Sequence, residues 1–344
     1  MTKIIKVFLL LFSFLLLSAH DSYGNEHGDY NITNYNIANG LNTSRIFDSA
    51  QDSLGRMWFA TSRGASVYDG YGWTNYDLLD NVNQSGFKEI IVDKKGLIWL
   101  APLIATDYIL VNHGFEWVKF SNPTGILDKT SLTTGFDVVY VNGKPVVTLT
   151  TNSQILVNID GKWLAFDSSN SPVKGDIYGV TAFQEKFYLT TSTGLASIEF
   201  DKNLRPSIQT GLFGIKDPVL AIFIRQTEST SHRFFILSSK WMGILENNNM
   251  LQIDIPAKID AMKQFPYYYI VVDKDERIYF GNKVTKYLYD NSDNSFHALD
   301  KDAELTSDGA TSTLIDKENN IWFTDLRGVD KLTFHPFTNF TKKT

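Results

Sequence analysis

The chain has 344 residues, 43% hydrophobic, 14% aromatic and only 20% charged, which is enough apolar material for a large packed core and unlike a disordered tail. Its formal net charge of -6 supplies no basic field for counterion release on a nucleic-acid backbone, so nucleic acid is not an expected partner. Having no cysteine, it forms no disulfide or thiolate metal site and carries neither a Cys nucleophile nor a lipid-modified N-terminal Cys.

The first residues, MTKIIKVFLLLFSFLLLSAHDSYG, place Lys3 and Lys6 ahead of an apolar run from Val7 to Ala19, followed by small residues at Ser22 and Gly24. This is the layout of a signal peptide over residues 1–24. The apolar run of about 13 residues is short of the ~20 that a membrane-spanning helix needs. Cleavage near Gly24 is expected, giving a periplasmic or secreted chain with no membrane span after it.

Next, AQDSLGRMWFATSRGASVYDG (residues 50–70) predicts a strand end, an Asp–Gly turn and two short strands. The same pattern of apolar strand, Asp, polar turn and aliphatic–aromatic pair returns in IIVDKKGLIWLAP (90–102), IVVDKDERIYFGN (270–282) and TLIDKENNIWFTDLRGVDKL (313–332). Weaker copies are GKPVVTLTTNSQIL, EKFYLTTSTGLASI and HRFFILSSKWMGIL. The marker residues Trp58, Trp99, Val147, Tyr188, Phe235, Tyr279 and Trp322 follow one another at 41 to 48 residues, the period of a four-stranded propeller blade.

Each unit adds a polar outer strand, as in WTNYD, EWVKF, KWLAF, SFHAL and FTNFT. The predicted fold is therefore all-β, a seven-bladed β-propeller of four-stranded antiparallel blades. Its blades fall at about 40–80, 81–122, 133–168, 176–209, 218–256, 265–301 and 309–344. A leucine-rich or helical solenoid would show Leu-rich or 3.6-period patterns, which are absent. The segment YNITNYNIANGL (30–41) is predicted to add a further outer strand that pairs with the last blade and helps close the ring.

The run from Asn39 to Asp77, with Gly40-Leu41, Asp52, Gly55, Trp58, Thr61, Gly64, Tyr68 and Asp69-Gly70, resembles the two-component regulator propeller repeat. The resemblance is good in the second and seventh units and weak in the third to fifth, where Trp is replaced and the Asp turn is eroded. It implies the periplasmic sensing half of histidine kinases, hybrid kinases or diguanylate cyclases, with a small-molecule, oligosaccharide or peptide ligand or a membrane signalling protein as partner. Such propellers are usually followed by an immunoglobulin-like module, a membrane helix and an output domain. This sequence stops at Thr344 after the seventh unit, so either a stand-alone propeller or the front piece of a longer sensor is expected.

Propeller ligands are expected at the axial mouth, on the turns between second and third strands and on the connections between blades. That selects Arg45, Arg63, Lys88, Trp241, Lys283 and Arg327, with Tyr178 and Tyr267, a cationic and aromatic set suited to stacking and charge-assisted hydrogen bonds. The recurring Asp52, Asp93, Asp273 and Asp316 are expected to cap turns, one per blade and too far apart for paired-carboxylate catalysis. DKDE (273–276) lacks the ligand spacing of a calcium loop. The six histidines form no HExxH or HxxxH pair, and no GxSxG elbow occurs. No metal, cofactor or catalysis is expected, and recognition is the favoured function. A propeller lyase or hydrolase and a scaffolding role in the envelope stand as alternatives.

Overall fold

The computed structural model describes residues 30–79, 85–105, 107–114, 116–123, 125–127, 131–227, 232–257, 259, 268–299 and 305–334. Residues 32–332 form one compact unit. The other unit holds 1–31 and 333–344, of which only 30, 31, 333 and 334 are described, as strand ends.

The chain enters through β1 (Tyr30–Tyr35) and then builds blade one from β2 (Ile46–Gln51), β3 (Met57–Thr61), β4 (Gly64–Tyr68) and β5 (Trp73–Asp77). Blade two holds β6 (Phe87–Val92), β7 (Ile98–Pro102), β8 (Ile109–Asn112) and β9 (Trp117–Ser121). Blade three holds β10 (Gly135–Val141), β11 (Lys144–Thr150), β12 (Ile155–Ile159) and β13 (Lys162–Phe166). Blade four holds β14 (Ile177–Phe183), β15 (Lys186–Thr191), β16 (Gly194–Phe200) and β17 (Pro206–Thr210). Blade five holds β18 (Val219–Gln226), β19 (His232–Ser238), β20 (Trp241–Glu246) and β21 (Asn249–Asp254). Blade six holds β22 (Tyr269–Val272), β23 (Ile278–Asn282), β24 (Thr285–Asp290) and β25 (Ser295–Ala298). Blade seven combines β26 (Ser312–Ile315), β27 (Ile321–Thr324) and β28 (Val329–Phe334) with β1 as its outer strand.

All seven sheets are four-stranded, and the innermost strands β2, β6, β10, β14, β18, β22 and β26 pack side by side in an unbroken circle. The fold is thus the seven-bladed propeller that the period predicts. Position in the blade explains the composition of each strand. Second strands such as MWFAT and IWLAP are buried on both faces between neighbouring blades and are apolar throughout, whereas outer strands such as WTNYD expose most residues.

The recurrent Asp caps its turn and also reaches across to the wedge aromatic. In blade one, Leu54 N and Arg56 N donate to Asp52 Oδ1, while Trp58 Nε1 donates to Oδ2 at 2.9 Å. Trp99 Nε1 donates to Asp93 at 2.8 Å and Trp322 Nε1 to Asp316 at 2.7 Å, each six residues on. Blade six keeps the clasp with a different donor, since Tyr279 Oη lies 3.3 Å from Asp273 Oδ2 and Arg277 Nε 2.6 Å. The turn demands a left-handed residue three places after the Asp, supplied by Gly55 and Gly96 at φ 83° and 81°. Burial works against the Asp52 charge, but hydrogen bonds from Trp58 and Arg56 outweigh it and hold the carboxyl below its ordinary range.

Blades three and four lack this clasp and turn on two-residue hairpins at Asn142-Gly143 and Gln184-Glu185, the first of each pair at positive φ. Blade three instead borrows from its neighbours. Its Tyr140 hydroxyl donates to Asp93 of blade two at 2.6 Å, and Trp163 Nε1 donates to Ser121 at 2.9 Å.

Ring closure is made by β1. Tyr35 packs against Tyr68, Trp73 and Trp322 at 5.1, 5.6 and 5.9 Å, so one ring joins blade one to blade seven. A Cβ on Gly328 would stand 2.2 Å from Tyr35 O, so only glycine lets β1 pass there. Asn34 Nδ2 donates to Asp330 at 2.7 Å, and buried Lys286 of blade six lies 3.8 Å from the same carboxylate. The segment FTNFT, also a candidate outer strand, lies outside the described residues.

Three outcomes follow. Asp316→Ala leaves the Trp322 N–H and the Asn320 donors unpaired in a buried site and should cost about 3 kcal/mol in urea unfolding. Asp201→Ala, at an exposed turn of blade four, should cost less than about 1 kcal/mol. Deletion of residues 30–37 should lower the melting temperature by more than about 10 °C, because it removes an entire strand of one blade.

Candidate functional site

In every blade the chain runs from the axis outward, so the turns between second and third strands share one face with the connections to the next blade. Arg45 is exposed just before β2, and its carbonyl accepts from Ser62 N in the adjoining turn. Lys283 is exposed in the turn between β23 and β24, and Arg327 in the turn between β27 and β28. Asp325, beside Arg327, accepts from Arg327 N, and its carbonyl accepts from Ile46 N of blade one. Arg45, Lys283 and Arg327 therefore stand on three consecutive blades, one, six and seven, on a single face.

The other candidates fall elsewhere. Arg63 is drawn outward into an ion pair with Asp77 at the end of the outer strand β5. Trp241 is only 7% exposed and donates to Asp217 at 2.9 Å, which anchors the connection into blade five. Lys88 and Tyr178 lie within first strands, not on connections. Each is the extra residue of a β-bulge, between Phe87 and Glu89 and between Ile177 and Gly179. Blades one and five have bulges at the same level, at Phe47 and Leu220. In these four blades the bulge takes one side chain out of the alternation of the innermost strand. Tyr178 meets Tyr268 of blade six at 6.3 Å, and both pack against the apolar cluster that contains Leu220. Tyr267 lies outside the described residues.

A set of carboxylates that the sequence pattern does not single out lies on the innermost strands: Asp48, Glu89 and Asp137, on β2, β6 and β10. Asp48 bridges three blades, accepting from Ser312 Oγ of blade seven at 2.6 Å and from Ile90 N of blade two at 3.0 Å. Asp137 joins blades three and four by accepting from Ala182 N at 2.7 Å, and it also accepts from Val138 N at 2.8 Å. Glu89 pairs with Lys88 at 2.6 Å. Burial pushes Asp48 up to about 7, with the Glu89 charge adding to it, while the Ser312 and Ile90 hydrogen bonds and the Lys88 charge only partly offset this. Asp137 rises to about 6, chiefly through burial, against the pull of its two backbone donors. The only signal in the sequence was an acidic residue inside a first strand otherwise made for burial.

Three histidines are described, His113, His232 and His297. His113 is exposed after β8, His232 opens β19, the second strand of blade five, and His297 lies on the outer strand β25. None lies on an innermost strand. Among the described residues no group of three His, Cys, Asp or Glu could hold a metal ion, and no helix is long and apolar enough to cross a membrane.

Comparison with known proteins agrees with this architecture. The two component regulator propeller family model matches residues 40–63, the stretch that holds β2 and β3 of the first blade. No curated protein matches the chain by sequence. Among solved structures, the extracellular domain of a protein described as a hybrid two component system from B. thetaiotaomicron is similar over 90% of this chain, at 19% identity and a TM-score of 0.64. The chain spans 42% of that structure's length. A streptogramin B lyase matches over 89% of this chain and 98% of its own, at 15% identity and a TM-score of 0.65. A catalytically inactive histidine-to-alanine variant of virginiamycin B lyase from Staphylococcus aureus, solved with quinupristin, matches over 89% and 100%, at 14% identity and a TM-score of 0.62. At these identities the likeness is one of fold. The chain is a propeller that resembles in fold the extracellular domains of two-component systems.

The acids on the innermost strands make stability depend on pH in a defined direction. Asp48 starts from 3.8 and is raised to about 7, so between these values the folded chain keeps a proton that the unfolded chain has released. Its stabilisation is complete below the unfolded value and is lost as pH rises through about 7. Asp48→Asn, which cannot ionise, should therefore gain stability relative to wild type between pH 5 and pH 8 in urea unfolding, by about 1–2 kcal/mol. A difference that stays flat over this range would show that Asp48 does not titrate in folding.

Proposed function

We propose that this chain is an exported recognition propeller, the ligand-binding element of an envelope signalling system, and that its ligand docks on the axial face. The observation that carries this reading is the arc of exposed cations, Arg45, Lys283 and Arg327, on three neighbouring blades around the axial opening. Lys88 and Tyr178 sit in the bulges at the starts of β6 and β14, and Tyr178 meets Tyr268, just before β22, at 6.3 Å. Cations beside aromatic faces suit a carboxylate-bearing ligand, either an acidic oligosaccharide or a peptide with acidic side chains. Export is inferred from the signal-peptide layout of residues 1–24, and a membrane signalling protein is the partner that the resemblance to extracellular sensor domains supports.

A second reading rests on the acids of the innermost strands. Carboxyls held near neutral pH are suited to general acid–base work, and two of the similar structures are lyases. Against it, both oxygens of Asp48 are engaged with neighbouring blades, as is the Asp137 carboxyl, which fits staples between strands better than groups waiting for a substrate.

Thermal shift of the mature chain against uronic-acid oligosaccharides, neutral oligosaccharides and acidic peptides tests the axial-face reading. An acidic ligand at about a hundred times its Kd should stabilise wild type by about 2.7 kcal/mol. In the triple variant Arg45→Ala, Lys283→Ala, Arg327→Ala the shift should vanish while the unliganded melting temperature holds, since all three side chains are exposed. Equal shifts in both proteins, or shifts with neutral ligands alone, would overturn it.

A further inference from the structure

The gap between blades four and five is built differently from the gap between blades one and two. In the latter, Trp58 stacks on Tyr76 at 6.0 Å and meets Trp117 of the next blade edge-on at 6.2 Å, so three rings fill the wedge. At the same level of blade four, Tyr188 stands opposite Ser197, where blade one has Trp58 opposite Val67. The outer strand β17 stops opposite Ala196, so no residue occupies the place that Tyr76 holds opposite Ala65. Met250, 36% exposed, stands where blade two has Trp117. Two of the three rings are missing, and the third is smaller.

What remains is a cleft of about 330 Å3, within the usual range of small-molecule sites. Its walls are Tyr188 from blade four, Phe234 and Leu245 from blade five, and Leu212 and Phe213 from the connection between them. Phe234 meets Tyr188 edge-on at 5.1 Å and Phe213 at 5.3 Å. Phe213 is 43% exposed and sits at φ 56°, ψ 18°, a left-handed conformation that a bulky residue rarely adopts. At the inner end of the cleft, the Ser197 hydroxyl has no hydrogen-bond partner within the protein although the residue is only 1% exposed. Polar groups otherwise gather at the rim, where Lys186 pairs with Glu199 at 2.7 Å beside Asn247 and Asn248, and His232 meets Phe234 edge-on at 5.3 Å. The first residues of β15 and β19 and the turn after β20 border this cleft on the side away from the cationic arc, and the connection that carries Leu212 and Phe213 borders it on the other.

We propose that the cleft between blades four and five binds a small aromatic molecule bearing a hydroxyl or a ring N–H, of phenol or indole size. The ring replaces the missing rings of the wedge, with its face against Tyr188, Phe213 and Phe234, and its polar group meets the orphan Ser197 oxygen. A sugar is disfavoured at the base, where Tyr188, Phe213 and Phe234 present rings and Ser197 a single hydroxyl, the remaining polar groups standing at the rim.

Titration of the mature full chain with p-cresol and with indole, followed by saturation-transfer NMR and with galactose as control, tests the site. Both rings should saturate with a Kd of about 1 mM, as befits ligands of this size, and galactose should not bind. Phe213→Gly removes the ring and relieves the left-handed strain, so it should fold at least as well as wild type and bind both probes about fivefold more weakly. Ser197→Ala should weaken p-cresol similarly. Tyr188→Trp should fill the cleft, abolish binding and raise the melting temperature; should that variant fail to fold, the other two carry the test. Absence of saturation by either ring, unchanged binding in both Phe213→Gly and Ser197→Ala, or equal binding of galactose would overturn the proposal.

Discussion

A carboxylate that reaches six residues ahead to a buried indole N–H is the interaction on which the blades depend. The wedge between two sheets must be filled by a large ring, and tryptophan brings to it a donor that would be costly if left unpaired. The Asp of the preceding turn meets that need with one oxygen while the other closes the turn, as at Asp52, Asp93 and Asp316. A single side chain thus fixes the first hairpin and the ring that packs against the next blade. This coupling is why Asp, a left-handed turn residue and Trp recur together at constant spacing. In blade six, where Tyr279 takes the place of Trp, a hydroxyl takes over the donor's role and Arg277 shares the carboxylate.

Closing the circle poses a different problem, since a propeller's first and last blades have no covalent reason to stay together. Here the seventh sheet is completed by a strand from the other end of the chain, so the order β1–β28–β27–β26 ties residues far apart in sequence into one ladder. The seam is then secured twice. Tyr35 packs on rings of blades one and seven, and Asp330 collects Asn34 of β1, Thr306 and the buried Lys286 of blade six. Lys286 is held in a site where burial lowers its pKa and the surrounding Asp charges, Asp330 foremost, oppose that.

The fold was legible because the clasp imposes a sequence period, and β1 was legible because its alternation of Tyr, Ile and Asn matches the outer strands. The weak third to fifth units were recognisable by spacing alone: Tyr188 and Phe235 keep the wedge position without the Asp turn, whereas Val147 faces back toward Trp99 of blade two and Thr148 stands at the wedge position of blade three. The site was much less legible. Turn position predicts exposure for Arg45, Lys283 and Arg327, but it cannot foresee that Asp77 takes Arg63 or that Asp217 takes Trp241. Lys88 and Tyr178 sit in β-bulges, which depend on a one-residue mismatch between paired strands that no single strand reveals. Asp48, Glu89 and Asp137 escaped notice because an acid within an apolar strand reads as a solvent-facing position until the innermost strands are set side by side.

Departures from the repeat are therefore as informative as the repeat. Where the clasp is intact, the space between blades is filled by the chain's own rings and nothing is left to recognise. Where it is eroded, as in blade four, the wedge ring is smaller, the outer strand ends early and the connection swings an exposed Phe213 into the gap. The same blade supplies Tyr178 to its contact with Tyr268, so one sequence region shapes both that contact and the peripheral cleft. A ring of seven blades tolerates such erosion because each blade is held by neighbours on both sides, and blade three shows the means by lending Tyr140 to Asp93 and Asp137 to Ala182. Stability carried by the clasped blades leaves the unclasped ones free to vary, and it is on them that this chain differs from a plain repetition of its own motif.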